Sequence, residues 1–347
     1  MVRPGALLPP PPNPRRRAPV TRSPLPCSAQ FSKHSKVCPP PQDIMPELTP
    51  ELRELLIKHH YAVIGKHSAV KTCHWTKRSI REGRVCYKQK FYGIESHRCL
   101  QMTPAVGWCN HQCLLCWRPV ENTLGGEMDE DVDEPKDIVD GAIAAQRKLL
   151  IGFKGLDEVD KDRLEESFSP RNAAISLAGE PTLYSRIDDL IFEFHNRGIT
   201  TFLVTNGTRP DRLPTFTEPT QLYISLDAPD RERYLAMDRP MDASSWDRLN
   251  ESLEKLPSFR CRTVIRLTLV KGHNMTNPEG YAQLIKKAEP TYIECKSYMH
   301  VGFSRKRLPR EAMPSHQEVK DFAKRIAKAT GYEIKDEQEA SRVVLLS

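Results

Sequence analysis

The sequence predicts an α/β fold: a partial (β/α)6 TIM-like barrel, open laterally, preceded by an N-terminal extension. Three observations carry this. From about residue 170 onward, apolar runs of strand length alternate with amphipathic helical patterns, which implies parallel strands joined by right-handed crossovers. A polar, usually glycine-containing stretch recurs just after each run, and in a parallel barrel the loops after the strand C-termini carry the site. A loop with three closely spaced cysteines, Cys109 to Cys116, precedes this array and belongs on the same face.

The elements follow in order. Residues 1–44 hold 12 of the 29 prolines, seven basic side chains and one acid, Asp43. Such a composition buries no core and predicts a disordered tail, either a basic arm that touches RNA or a dispensable extension. Cys27 and Cys38 lie within it and carry no assigned role. The tail also holds +6 of the formal net charge of +7, so the remaining 303 residues are nearly neutral, and any nucleic acid is bound through local patches. No run of about 18 apolar residues spans a membrane, and no secretory leader is apparent. A soluble, cytoplasmic monomer is the expectation.

A helix is expected over 49–60. Thr49 is placed to cap it, Pro50 suits its first position, and Leu52, Leu55 and Leu56 form its apolar face. Residues 45–100 form the extension. Its stretch 66–100 carries nine basic residues (Lys66, Lys71, Lys77, Arg78, Arg81, Arg84, Lys88, Lys90, Arg98) against Glu82 and Glu95. Cys73, Cys86 and Cys99 recur in it at equal spacing. They read as ligands of a second cluster, as buried free cysteines, or as a disulfide plus one. The barrel is expected over 101–300, with an apolar run (Ala105, Val106, Trp108) leading into the cysteine loop and an acidic exposed loop near 120–136. A helix with Val139, Ile143 and Leu150 on one face follows. Strands are expected at 173–177, 200–205, 222–226, 264–270 and 292–294, and helices at 184–197, 244–256, 278–289 and 315–330. Residues 301–347 add a basic loop, a helix and final strands.

The loops carry the chemistry. Cys109-Asn110-His111-Gln112-Cys113-Leu114-Leu115-Cys116 has the spacing C-x3-C-x2-C. Three thiolates hold three corners of a 4Fe–4S cube and leave one iron open. The alternative is half of a zinc site, which more often pairs C-x2-C elements. The spacing resembles that of the radical S-adenosylmethionine (SAM) enzymes, in which the open iron chelates SAM. Leu115 stands where that superfamily often has an aromatic residue. By the same resemblance, Gly179, Glu180 and Pro181 stand where a GGEP-like motif meets the SAM amino group, and Asn206 and Ser225 would meet its ribose or carboxylate. Gly179 is read as a point of close backbone approach to a ligand. Arg305, Lys306, Arg307 and Arg310, beside Phe303, are read as an RNA-phosphate patch or a solvated loop.

Together, Cys73-x12-Cys86-x12-Cys99, Cys86-Tyr87-Lys88, the cysteine loop with Trp117-Arg118-Pro119, Ala178–Thr182, Ser225–Pro229 and Tyr298–Arg305 resemble the tRNA 4-demethylwyosine synthases, over about residues 45–335. The resemblance is to the archaeal form, which lacks a flavodoxin domain and needs an external electron donor, a flavodoxin- or ferredoxin-like reductant. It implies a lyase-class radical SAM enzyme with two 4Fe–4S clusters, one on Cys109, Cys113 and Cys116 and an auxiliary one on Cys73, Cys86 and Cys99. The implied substrates are N1-methylguanosine of phenylalanine tRNA, next to the anticodon, and pyruvate. A radical formed at the N1-methyl group joins a two-carbon fragment of pyruvate, whose carboxyl carbon is lost, and ring closure gives the tricyclic base. Lys88 matches the lysine that engages pyruvate; Arg84 and Lys90 nearby are expected to favour its neutral amine. Its other reading is one more phosphate-binding lysine. Two further functions stay open at this level: radical SAM methylation or methylthiolation of another RNA base, and a non-catalytic, metal-stabilised RNA-binding protein.

Overall fold

The computed structural model describes residues 48–347 except Thr215. The predicted tail 1–44, with Cys27 and Cys38, lies outside the described residues. Ten strands form one sheet in the order β1-β2-β3-β4-β5-β6-β7-β8-β10-β9. They are β1 (Ala62–Ile64), β2 (Ser68–Val70), β3 (Cys99–Thr103), β4 (Asn172–Ile175), β5 (Thr200–Thr205), β6 (Gln221–Ser225), β7 (Arg262–Leu269), β8 (Tyr292–Ser297), β9 (Ile334–Gln338) and β10 (Val343–Leu346). From β3 to β8 every neighbouring pair is parallel, so six parallel strands make the barrel wall. Antiparallel strands extend both edges, and among the described residues no pairing closes the two ends. The expected partial, laterally open barrel is what forms.

Ten helices accompany the sheet: α1 (Pro50–Lys58), α2 (His74–Glu82), α3 (Tyr87–Tyr92), α4 (Pro135–Leu150), α5 (Lys161–Ser167), α6 (Ile187–Asn196), α7 (Arg231–Asp238), α8 (Ser245–Lys255), α9 (Pro278–Ala288) and α10 (His316–Thr330). The caps are legible in the sequence. Thr49 accepts a bond from Leu52 N ahead of Pro50, and Ser315 and Glu318 close a capping box on α10. One crossover departs from the βα pattern: β5 reaches β6 through a single 3-10 turn, Pro210–Arg212.

Strand alternation sorts side chains into two layers. Leu203, Leu222, Ile224, Ile265, Leu267, Ile293 and Cys295 face the helices and join the main core. Phe202, Tyr223 and Val264 take the other face and pack inside the barrel with Ile94, which follows α3. Arg266, Glu294 and Lys296 share that inner parity. The run Ala105–Trp108 is buried but is not a strand. It sits in the loop after β3 and packs with Leu52 and Leu56 of α1 and with Leu177 and Ala178. The strand that feeds the cysteine loop is the more polar Cys99–Thr103.

The loop after β7 is held by one side chain. Asn274, fully buried, donates to Asp227 O and Thr268 O, 2.8 Å each, and accepts from Val270 N at 2.6 Å. Asn274→Ala leaves three buried backbone groups without partners. It is expected to lower the unfolding free energy by about 2–4 kcal/mol, measured by chemical denaturation.

Candidate active site

The cysteine loop leaves the C-terminal end of β3 and is laced to the end of α7. Gln112 N donates to Asp238 O and Arg239 O, Leu114 N to Met237 O, and Met241 N to Asn110 O. Arg307 grips the loop from the other side. It donates to Leu114 O at 3.2 Å, to Arg118 O at 3.3 Å and to Cys116 O, and it pairs with Glu121 at 2.8 Å. Arg307 is therefore a scaffold of the cysteine loop, not an open phosphate ligand; its guanidinium already makes four hydrogen bonds.

Cys109, Cys113 and Cys116 line one cavity with Leu115, Arg118, Gly179, Glu180, Asn206, Ser225, Asp227 and Asp238. Burial pushes the Cys109 thiol up to about 11 and the Cys113 thiol well above its usual range, with Asp238 adding to the shift. His111 is kept neutral: burial drives its pKa down to about 3. Its Nε2 meets Tyr234 Oη at 2.8 Å and its Nδ1 lies 3.9 Å from Cys113 Sγ. Three thiols on one short loop, facing a cavity beside the buried Arg118 guanidinium, fit a thiolate-ligated iron–sulfur cluster. Binding deprotonates such thiols and satisfies them.

Gly179 has φ +71°, and a Cβ there would overlap the carbonyl oxygens of Ala105 and Trp108. The close approach seen at this glycine is to the cysteine loop's own backbone, and Gly179 lines the cavity as well. Glu180 completes the joint. Its N–H donates to Trp108 O at 2.9 Å. Its buried carboxylate accepts from Thr182 N and Oγ1, Thr205 Oγ1 and Asn206 N, at 2.7–3.0 Å. Burial raises its pKa, and these bonds oppose the rise. Asn206 bonds Asn110 and Thr208, and Ser225 ends β6 facing the cavity. Pro181 is buried at the start of a 3-10 turn, outside the residues that line the cavity.

A second cavity is lined by Cys73, Cys86, Cys99, Tyr87, Lys88, Gln101 and Lys296. Cys73 and Cys86 are the N-cap residues of α2 and α3, where the helix dipole favours thiolate; Cys99 opens β3. Burial pushes Cys86 up to about 11 and Cys99 to about 12, each shifted further by Cys73. The two cavities share Trp117, Ser176, Val204 and Arg266 as walls. The Lys88 Nζ lies 4.6 Å from the Tyr223 ring centre and 4.9 Å from that of Phe202. Burial, then Arg266, lowers its pKa. Arg84 and Lys90 are not the cause: Arg84 pairs with Glu82, and Lys90 with Asp336.

The radical SAM superfamily model matches residues 103–285, and a wyosine base formation model matches 287–347. An S-adenosyl-L-methionine-dependent tRNA 4-demethylwyosine synthase of Pyrococcus horikoshii is 55% identical over 306 residues, 87% of this chain and 90% of that protein. The chain belongs to the tRNA 4-demethylwyosine synthase family. Among solved structures, TYW1 with a lysine–pyruvate adduct bound superposes with TM-score 0.79 at 39% identity, covering 86% of this chain and 96% of that one. An archaeal TYW1 gives 0.72 at 36%, over the same shares of the two chains. This family member is a SAM-dependent radical enzyme with a 4Fe–4S cluster. No helix among its described residues is long and apolar enough to cross a membrane.

For a tRNA-modifying enzyme the charged surface matters, and it is narrower than the sequence implied. Lys66, Arg78, Arg81, Arg84, Lys90 and Arg98 each pair with a carboxylate, and Lys88 is inside. Arg305, Lys306 and Arg310 stay exposed, with Lys306 Nζ 5.2 Å from the Phe303 ring centre. Sequence reasoning missed Arg118, Arg266, Glu294 and Lys296. The last three interrupt apolar strands, and a charge in a buried strand is itself a signal.

Gly179→Ala is expected to break the joint between the two loops. The left-handed backbone alone costs about 1–2 kcal/mol, and the overlapping carbonyls must move as well. Gly272, with φ +78° and nothing within 4 Å of an added Cβ, is the control that pays only the backbone part. Calorimetry should show a larger fall in melting temperature for Gly179→Ala than for Gly272→Ala, and equilibrium dialysis a loss of SAM binding for the first alone.

Proposed function

We propose that this chain converts N1-methylguanosine of phenylalanine tRNA into 4-demethylwyosine, with pyruvate as the carbon donor. The observation that carries the reading is the pair of adjoining cavities, each lined by three cysteines, with Lys88 in the second. Cys109, Cys113 and Cys116 hold the 4Fe–4S cluster, and Cys73, Cys86 and Cys99 hold an auxiliary one. Bound on the first loop, cluster and SAM supply the one-electron chemistry that removes hydrogen from the N1-methyl group; the electrons come from an external flavodoxin- or ferredoxin-like donor.

The chain's own residues do the rest. Ser225 and the loop of Gly179, Glu180 and Asn206 border the SAM space. Lys88 condenses with the keto group of pyruvate: its nitrogen adds to the carbonyl carbon and water leaves. A lowered pKa leaves more of the neutral, nucleophilic amine at a given pH, and the lysine–pyruvate adduct in a relative of 39% identity supports a lysine in this role. Trp117 and Arg266 border both cavities, so the pyruvate and SAM spaces adjoin. Arg305, Lys306 and Arg310 hold phosphates of the anticodon loop while the target base is splayed out, a step that costs a few kcal/mol.

Nucleoside mass analysis tests the reading. Anaerobically reconstituted protein, dithionite, SAM, pyruvate and tRNA bearing N1-methylguanosine should yield the tricyclic base and 5′-deoxyadenosine. Lys88→Ala should retain both clusters and 5′-deoxyadenosine formation and lose the base; full product from that variant refutes the role of Lys88. On the RNA side, Arg305, Lys306 and Arg310 changed together to glutamine should weaken tRNA binding. The slope of log affinity against log salt should fall by about two, as expected for three lost single-strand phosphate contacts. A slope equal to that of the parent protein would place the footprint elsewhere.

A further inference from the structure

The second cavity contains two amines, and only Lys88 has a role so far. Lys296 lies on β8, two residues after Glu294 and on the same face of the strand. Its neighbours are closed to it. Glu294 accepts from Tyr87 Oη at 3.1 Å, Tyr92 Oη at 2.7 Å and Arg266 Nε at 3.0 Å. Arg266 also donates to Tyr87 Oη at 3.0 Å, and its guanidinium lies 4.4 Å from the Tyr223 ring centre. Arg266 and Glu294 therefore pair with each other and the carboxylate is fully engaged, while the rest of the Arg266 guanidinium also lines the cavity.

Lys296 has no such partner. Its Nζ donates to Ser341 O at 3.1 Å and lies 5.5 Å from the Tyr87 ring centre. No carboxylate stands within ion-pair distance of it among the described residues. Two N–H groups remain for the cavity that Lys88 also lines. Its amine is thus buried in the wall of that cavity with a single backbone carbonyl as its hydrogen-bond acceptor. A lysine amine in a cavity without an ion-pair partner is a natural place for an anion.

We propose that Lys296 binds the carboxylate of the 2-oxo acid and so orients its keto group toward Lys88. The inference rests on the assignment of pyruvate to this cavity. Lys88 provides the covalent bond, with loss of water, and Lys296 provides the selectivity for an acid over a neutral ketone. A charge-assisted hydrogen bond in a cavity is worth about tenfold or more in affinity.

The test is borohydride trapping on the anaerobically reconstituted protein, with pyruvate and with its neutral methyl ester. Hydride reduces the imine carbon to a stable secondary amine, which intact mass detects and peptide mapping locates. The unaltered protein should trap pyruvate on Lys88 at a half-saturating concentration about tenfold or more below that of the ester. Lys296→Met should raise the value for pyruvate by that factor and leave the ester unchanged, and Lys296→Arg should keep the preference for the acid. An unchanged preference in Lys296→Met, or an equal loss for both ketones, overturns the inference and leaves Lys88 in place. A pyruvate adduct mapped to Lys296 overturns it too. Absence of any adduct on Lys88 in the unaltered protein removes the lysine reading and this inference with it.

Discussion

The candidate site depends on a joint between two backbones. The loop after β3 must fold across the mouth of the barrel to bring three thiols over the strand ends. It does so by pressing the carbonyls of Ala105 and Trp108 against Gly179. Any side chain at 179 would hold the loop away. Glu180 then fixes the approach through its N–H to Trp108 and its carboxylate to Thr182, Thr205 and Asn206. A buried carboxylate with four donors is well compensated, so the strands β4 and β5 and the cysteine loop move as one body. The motif that family resemblance reads as a SAM contact is thus first a structural pin, and it borders the cavity of the three cysteines because the loops it joins do.

A second buried carboxylate plays the same part lower in the barrel. Glu294 of β8 binds Arg266 of β7 and the phenols of Tyr87 and Tyr92. Those two tyrosines bracket α3, the short helix that begins at Cys86 and carries Lys88. With six residues and no side-chain cap, α3 has little stability of its own. Its attachment to the inner wall sets the place of both the cysteine and the lysine. Removing one member of this network would leave a charge or a phenol unpaired inside the barrel, which is far more harmful than replacing the whole set.

The fold was legible because its strands are buried on both faces and read as apolar runs between glycine-containing loops. The cysteine loop was legible from spacing alone. Much of the extension was not: α2 holds four charged side chains in His74–Glu82 and buries only Thr76, Ser79 and Ile80, so its pattern is thin. The role of Glu180 was hidden because its partners lie about 25 residues later, at Thr205 and Asn206, and only the crossover brings them near. Arg305 and Arg307 look alike in the sequence. The turn Gly302–Lys306 sends one to solvent and the other under the cysteine loop, and no local pattern distinguishes them. Arg266, Glu294 and Lys296 were missed although they are charges inside apolar runs, because they gain meaning only when the strands bring them together as a set.

Trp117 connects these parts. Its ring lines both cavities and stacks with Tyr61, ring centres 6.3 Å apart. Its carbonyl accepts from Phe303 N at 3.0 Å, and Gly302, at φ +59°, lets the chain pass close against it. The loop that exposes Arg305, Lys306 and Arg310 is therefore tied to Cys116 twice, through Trp117 and through Arg307. That loop does not need to be ordered by a ligand before it can position one. A phosphate held by its exposed cations would sit close to a fixed distance from the third cysteine, because the path between them is backbone hydrogen bonds and the four bonds of the Arg307 guanidinium. Recognition of the nucleic acid and placement of the reacting centre then share one rigid element, and an error in either is an error in both.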